Sequence, residues 1–418
     1  MALPFSLTLY RGATALLAPA VPAILRGRAR RGKEDPGRLG ERLGRASRPR
    51  PPGPLVWLHG ASVGETVSLL PLVERIRRER PATTVLVTSG TTTSADLLAR
   101  RLPPGALHQY IPVDTPGAAA RFLDHWKPDL AVFVESELWP NLLLGAKARG
   151  ARLALVSARM TEESARGWRR FPRAAKAVLG AFDLLLPQDV RTGIRLKDLG
   201  GLVDGYANLK LVGEALPADA AELARLKAAA GDRLIVTAAS THPGEDALIA
   251  AAVEATGEYP LLVIVPRHPA RGPKLATDLR AHNRIVALRS AGEPPTAETD
   301  IYIADTLGEL GLFFRLGDVA VMGGSFLPDI GGHNPLEAAR LARPVVYGDH
   351  YANWIDVYGA LGAGGIRCED QARLTAAIAT LLSDAPTRAL TAAAAKQAAE
   401  QEGDVLDRLW TQLGPLAP

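Results

Sequence analysis

The sequence predicts an α/β protein made of two doubly wound domains of nearly equal size, facing across a cleft. Three observations predict it. From residue 55 onward, short runs rich in Val, Leu and Ile alternate with Gly/Ser/Thr/Pro loops and Ala/Leu/Arg helical stretches. The apolar runs are continuous rather than alternating, as in parallel strands buried on both faces. There are eleven of them, many for one sheet, and the alternation breaks at GGLVDGYANLKLVGEALPAD, residues 200–219. The boundaries that follow are an apolar and basic segment at 1–50, a first domain at 51–205 and a second at 206–418 that includes the terminal helices.

The strand candidates in the first domain are LVWLH (55–59), TVLVTS (84–89), LAVFVE (130–135), RLALVSA (152–158) and FDLLLP (182–187). In the second they are RLIVTAAS (233–240), LLVIVP (261–266), RIVAL (284–288), DIYIAD (300–305), DVAVMGG (318–324) and PVVYG (344–348). The Ala-rich sequence after about residue 386 reads as helix that pattern alone does not place. In open α/β sheets ligands bind beyond the carboxyl ends of the strands, so the informative residues follow each strand.

Composition excludes several chemistries. Cys368 is the single cysteine, which rules out a disulfide framework or a thiolate metal cluster and fits a reducing compartment. The eight histidines show no H-x-x-x-H spacing, so a zinc site built by the protein is not expected. The net charge of +5 is concentrated: residues 26–50 carry +7, Arg11 one more, and residues 51–418 carry −3. A nucleic-acid enzyme places its basic excess around its site, so no nucleic-acid partner is expected.

The basic block follows an apolar run of fourteen residues, 12–25, shorter than the roughly 20 that span a bilayer as a helix. A cleaved signal has its basic residues before the apolar run, not after it. Apolar residues followed by RGRARRGK (26–33) match the two-signal pattern for an anionic cytoplasmic leaflet. RPRPPGP, 48–54, reads as a stiff connector.

After the first strand comes HGASVGET. Gly60 to Gly64 spell G-x-S-x-G, the elbow that presents a nucleophilic serine in α/β-hydrolases, here Ser62. The strands that normally precede such an elbow are missing, and Glu65 offers another use of the loop. Near a helix N-terminus the dipole favours its ionised form, the form a general base needs. A capping glutamate without chemistry is also compatible with the loop. In VFVESELWPNL, Glu135 ends a strand and Glu137 follows two residues later. Two carboxylates there either face a polar cleft or a cation, or are solvated loop acids.

In the second domain, Arg267 and His268 stand just past a strand in VIVPRHPAR, and an arginine fork suits a phosphate. Thr306 and Gly308 open a helix in IADTLGELG. In VMGGSFLPDIGGHNPLEAA, Asn334 as N-cap, Pro335 at N1 and Glu337 at N3 form a helix start and hence an anion site, while Glu337 can alternatively accept ribose hydroxyls. Neither G-x-G-x-x-G nor G-x-x-x-x-G-K-[ST] occurs at these loops, against dinucleotide and P-loop readings. A phosphate-bearing ligand opposite a carboxylate base describes a two-domain sugar transferase.

HGASVGE, ESELWPN, NLK at 208–210, PRHP, DTLGE and GGHNPLEAA, with GERLG at 40–44, together resemble the Kdo (3-deoxy-D-manno-octulosonic acid) transferases of lipopolysaccharide synthesis. The resemblance implies a GT-B fold of two Rossmann-like domains and transfer of Kdo, with inversion and no metal or other cofactor, from CMP-Kdo to a lipid A precursor of the lipid IVA type. It places the protein at the cytoplasmic face of the inner membrane. By motif the base falls on Glu65. CMP contacts fall on Pro266 and Arg267, on Leu307, Gly308 and Glu309, and on Asn334, Pro335, Leu336 and Glu337. Transition-state roles fall on Glu135 or Glu137 and on Lys210. Arg11 with Pro4, Pro19 and Pro22 departs from a spanning anchor and favours a monotopic one. The rival readings are a GT-B enzyme using a UDP- or GDP-sugar, a serine esterase acting through Ser62, and a nucleotide-binding module without catalysis.

Overall fold

The computed structural model describes residues 3–212 and 215–418. The chain's contacts separate it into two compact units, Met1–Gly213 with Asp404–Pro418, and Glu214–Gly403.

The first unit is built on six parallel strands: β1 (Leu55–His59), β2 (Thr84–Ser89), β3 (Ala106–Tyr110), β4 (Leu130–Val134), β5 (Arg152–Ala158) and β6 (Leu184–Pro187), in the order β3-β2-β1-β4-β5-β6. β1 is central, its Trp57 opposite Leu86 on one side and Ala131 on the other. Every residue of β1 and β4 is buried, which is why both read as unbroken apolar runs. Trp57 packs against Phe122 and Phe133 at ring separations of 4.8 and 4.9 Å. The helices Pro116–Trp126, Pro140–Ala148 and Pro172–Leu179 each begin on proline, whose missing N–H costs nothing in a first turn.

The second unit has seven parallel strands: β7 (Ile235–Thr241), β8 (Leu261–Pro266), β9 (Val286–Leu288), β10 (Ile301–Ile303), β11 (Val319–Met322), β12 (Val345–Tyr347) and β13 (Gly365–Arg367), ordered β13-β12-β11-β7-β8-β10-β9. One cluster of its core is aliphatic, with Val236, Ile264, Val321 and Ile378 among the buried residues, and a second buries Tyr302 and Phe313.

Two strands escape the apolar-run criterion. β3 reads ALHQY, and its buried Gln109 accepts a bond at Oε1 from Trp126 Nε1 at 2.8 Å. β13 is three residues at a sheet edge. The GERLG motif explains how β3 is held. Glu41, 1% exposed, accepts bonds from Arg38 at 2.9 Å, Ser47 Oγ at 2.5 Å and the Tyr110 N–H at 2.8 Å. Arg50 donates to the Trp126 carbonyl at 2.7 Å and His125 Nε2 lies 2.9 Å from the Arg48 carbonyl, so the start of the proline-rich stretch is held against the body.

The terminal helices divide. Ala385–Gly403 belongs to the second unit, where Ala395 packs beneath Gly364. Val405–Leu413 returns to the first, with Arg75 paired to Asp407 at 2.6 Å and Thr83 Oγ1 donating to the Pro418 carbonyl at 3.2 Å. Sequence pattern had kept both with the second domain.

The N-terminal helical stretch is longer than its fourteen-residue apolar run implies. Helical turns continue over Phe5–Ala29, 25 residues, about 37 Å at 1.5 Å per residue. Pro4 stands before the first turn and Pro19 and Pro22 fall at the starts of later ones, so none breaks the rod. By length and composition it can cross a bilayer. Its first half nevertheless docks on the body: Leu7 is buried in the core, Tyr10 Oη donates to Asp114 at 2.9 Å, and Asn141 Nδ2 donates to Thr14 Oγ1 at 3.2 Å. Phe5, Leu9, Leu16, Leu17 and Ile24 remain exposed.

Candidate active site

Strand order reverses between β1 and β4 in the first sheet and between β7 and β11 in the second, and the crevice at such a switch point is where this architecture binds ligands. Glu65, Glu135, Glu137, Arg267 and Asn334 to Glu337 lie after these strands or their neighbours, while Leu307 to Glu309 follow β10, one strand further out, and Lys210 follows the helix Val190–Asp198.

In the first unit, β1 runs through Gly60 and Ala61 into the helix Val63–Glu79. Ser62 is the N-cap and Glu65 its capping-box partner. Ser62 Oγ accepts the Glu65 N–H at 3.3 Å and donates to Glu65 Oε1 at 2.7 Å, while Glu65 Oε2 accepts the Ala61 N–H at 2.8 Å. Among the described residues no histidine bonds Ser62, so the hydrolase elbow lacks its base. Glu65 is half-exposed and remains open to an incoming hydroxyl.

Glu135 and Glu137, two residues apart, have different partners. Glu135 leaves β4 with φ +56, a left-handed turn unusual for a side chain with a Cβ, and its carboxylate pairs with Lys210. Lys210 stands in the 3-10 turn Leu209–Leu211, fixed by the Leu209 N–H donating to Ser157 Oγ at 2.6 Å and by Asn208 Oδ1 accepting the Lys210 N–H at 3.1 Å. Glu137 instead accepts bonds from buried His59 Nε2 at 3.2 Å and Trp139 Nε1 at 2.5 Å. A carboxylate only accepts, so His59 Nε2 carries a proton, while Nδ1 lies 2.9 Å from the Thr88 hydroxyl and 3.1 Å from the Thr88 carbonyl. Burial raises the Glu137 pKa, but His59 and Trp139 outweigh it and hold the carboxyl below its usual range.

In the second unit Pro266 ends β8, and Arg267 follows, exposed, its N–H bonded to the Thr241 carbonyl at 3.0 Å. Among the described residues its guanidinium has no ion pair. The helix after β10 begins at Leu310, later than Thr306 and Gly308 had implied. Leu307 is 83% exposed, Gly308 has φ +85, and the Glu309 carboxylate is taken by Arg289 and Thr306. Glu309 therefore holds the loop, and Leu307 with the Gly308 backbone is what the loop presents.

The helix start after β11 is weaker than its sequence. Leu336–Ala339 is a single turn, and its small aligned dipole makes no strong anion site. Asn334 Oδ1 does accept the Leu336 N–H at 3.0 Å, but Glu337 does not close a capping box; Pro335 and the Leu336 side chain are buried. Among the described residues the Glu337 carboxylate has no hydrogen-bond partner, and burial pushes its pKa up against the opposing charges of Arg340 and Arg267.

Two features of this unit escaped sequence reasoning. Glu245, fully buried, accepts the N–H groups of His242 at 2.9 Å, Gly324 at 2.7 Å and Phe326 at 3.0 Å, tying the loops after β7 and β11 together. Above it His242 and His333 share a bond between their Nε2 atoms at 2.9 Å, rings parallel to within 8°. The acid three residues after His242, at a helix start, was the only signal for either.

A family model described as 3-deoxy-D-manno-octulosonic-acid transferase (kdotransferase) matches residues 37–212. Among curated relatives, the 3-deoxy-D-manno-octulosonic acid transferase of Bordetella pertussis is 35% identical over 395 residues, 89% of this chain and 91% of that one. The enzyme of the same name from Rickettsia bellii is 33% identical over 84% of each chain. Among solved structures, a glycosyltransferase from Rickettsia africae superposes with TM-score 0.63 at 10% identity, covering 86% of this chain and 97% of that one. UDP-GlcNAc 2-epimerase from Neisseria meningitidis does so with TM-score 0.61 at 12% identity, covering 86% and 100%. These two show the fold alone, the GT-B type. The relatives show the family: this chain belongs to the 3-deoxy-D-manno-octulosonic acid transferases, which are glycosyltransferases.

Proposed function

We propose that the protein transfers Kdo from CMP-Kdo to a lipid A precursor in lipopolysaccharide synthesis, by a single inverting displacement. The observation that carries this is 35% identity to a transferase of that name over 91% of its length. Glu65 removes the proton of the acceptor hydroxyl, which attacks the anomeric carbon as CMP leaves. Its hydrogen bonds from the Ala61 N–H and the Ser62 hydroxyl aim the carboxylate. The Lys210 and Glu135 pair supplies a cation and an anion for the charge that moves in the transition state; Lys210 offsets either the Kdo carboxylate or the departing phosphate. Glu137 serves by fixing the loop through His59.

On the donor side Arg267, without an ion pair among the described residues, is the cation for the phosphate, and the single-turn helix after Asn334, which the sequence had paired with it, adds little. Glu337 accepts the ribose hydroxyls, which suits a carboxyl without partners. Leu307 and the Gly308 backbone meet the base. No step needs a metal or other cofactor.

The N-terminal helix lies in the plane of the cytoplasmic leaflet of the inner membrane rather than crossing it. Half of it is committed to Asp114 and Asn141, while its exposed apolar residues run into exposed Arg26, Arg30, Arg31 and Lys33. The decisive experiment is mass spectrometry of a lipid A precursor incubated with the protein and CMP-Kdo, with UDP- and GDP-sugars as controls. Addition of one or more Kdo masses only with CMP-Kdo is expected. No addition with it, or addition from another nucleotide sugar, overturns the proposal.

A further inference from the structure

The loop after β9 has no assigned part in the site, although it lies beside the loop proposed to meet the base. β9 is the outermost strand, parallel to β10, with Leu288 opposite Ile303. Arg289 and the residues after Ile303 therefore leave the same edge of the sheet, at the carboxyl ends where ligands bind. Residues 304–309 belong to no helix or strand, so side chains must set their course.

The segment Arg289-Ser290-Ala291-Gly292-Glu293 supplies them. It is a 3-10 turn, Arg289–Ala291, closed by Gly292 at φ +74. Glu293 steadies it, accepting the Leu288 N–H at 2.8 Å and a bond from Arg280 at 2.7 Å. From this turn Ser290 takes both oxygens of Asp305: its N–H donates to Oδ1 at 2.9 Å and its hydroxyl to Oδ2 at 2.6 Å. Arg289 takes both oxygens of Glu309, through Nε at 2.6 Å and through Nη2. Asp305 and Glu309 are the two ends of the DTLGE loop, so it is gripped on either side of the exposed Leu307 and the left-handed Gly308. Asp305 is also packed against the chain after β8, where a side chain at Gly272 would strike it.

Arg289 itself is committed to the protein. Its side chain is 12% exposed. Besides Glu309 it donates to Glu222 at 2.8 Å and to Tyr302 Oη at 3.1 Å, and its guanidinium lies over Phe313, 5.3 Å from the ring centroid. Its hydrogen bonds hold the Glu309 carboxyl below its usual range. A bidentate fork fixes direction as well as distance, which an apolar contact does not.

We propose that Arg289 and Ser290 are positioning residues for the base of the donor: acting through Glu309 and Asp305, they set the course of the loop that presents Leu307 and the Gly308 backbone. The assignment deepens the donor reading above and rests on it.

Three variants of the full-length protein test it. CMP binding is measured by calorimetry, kcat and the KM for CMP-Kdo by product mass spectrometry, and stability as the urea midpoint. Arg289→Met should raise the CMP Kd and the KM together by about ten- to hundredfold, the worth of hydrogen bonds to a charged group. Ser290→Ala, which keeps the fold's ion pair and one of the two bonds to Asp305, should raise both by about threefold. In both variants kcat at saturating donor should stay within about twofold, as for a loss of uniform binding. Arg289→Met combined with Glu309→Met removes both charges, so its urea midpoint should return toward that of wild type while CMP still binds weakly. Affinity that returns along with stability, an unchanged Kd in both single variants, or a lower kcat at unchanged KM overturns the positioning role. Wild-type protein that binds no CMP overturns the donor reading itself, so the two failures are told apart.

Discussion

The Ser62 hydroxyl donates to the Glu65 carboxylate at 2.7 Å, and the Glu65 N–H returns a bond to Ser62 Oγ. In this pair the serine aims the acid rather than attacking anything itself. Glu65→Gln keeps an acceptor for the Ala61 N–H and loses only basicity. It should lower kcat by about 10²–10⁴-fold and leave CMP binding intact. Ser62→Ala should cost about 1 kcal/mol of stability through the lost cap, with transfer largely retained and no labelling of wild type by a fluorophosphonate. Near-full activity of Glu65→Gln would remove Glu65 from the mechanism.

The two acids of the ESE loop should separate in the same way. Glu135→Gln and Lys210→Met remove halves of one ion pair. Each should lower kcat by roughly 10²-fold, and the double variant should be less damaging than the product of the two singles. Glu137→Gln leaves His59 without a charged partner. It should lower stability by about 1–3 kcal/mol, read as the urea midpoint, with a smaller effect on kcat. The reverse ranking would reassign the loop.

What could be read in advance follows from how local each signal is. The capping box at Ser62 and Glu65 spans four residues and is visible as sequence. The apolar runs of β1 and β4 are visible because both faces are buried. Lys210 and Glu135 are 75 residues apart, and only the return of the chain past β6 to the end of β5 brings them together. Glu245 reads as an ordinary helix-start acid until the loop after β11 is laid over it. The helix start at Asn334 misled for the opposite reason: its local pattern is complete, but the helix ends after one turn and the chain turns left-handed at Ala342, φ +53.

Membrane attachment should depend on both the apolar and the basic parts of the terminus. Arg26, Arg30, Arg31 and Lys33 are exposed. Replacing all four with glutamine should weaken binding to anionic vesicles by about 1 kcal/mol per residue and flatten its salt dependence, seen by flotation. Tyr10→Phe, which cuts the bond to Asp114, should leave vesicle binding alone but raise the KM for a lipid acceptor, because the helix is no longer held against the body. Unchanged partition of the fourfold variant would overturn the leaflet assignment.

The His242 and His333 pair makes the second unit acid-sensitive. One Nε2 must donate and the other accept, so the pair holds a single proton between those atoms and a second one breaks the bond. Burial, then the neighbouring His242 and Arg267, lower the His333 pKa from 6.5 to about 4, and burial lowers that of His242 as well. The unfolded chain therefore takes up these protons before the folded one does. The stability of the neutral pair is fully present above pH 6.5 and is lost as the pH falls through 6.5 toward 4. His108, lowered to about 3 chiefly by burial, extends the same slope to lower pH in the first unit. Urea midpoints measured from pH 7.5 to 4.5 should fall, and His333→Gln should make that fall shallower, because glutamine still reaches His242 but takes up no proton. An identical slope in the variant would show that the histidine pair does not carry the acid response.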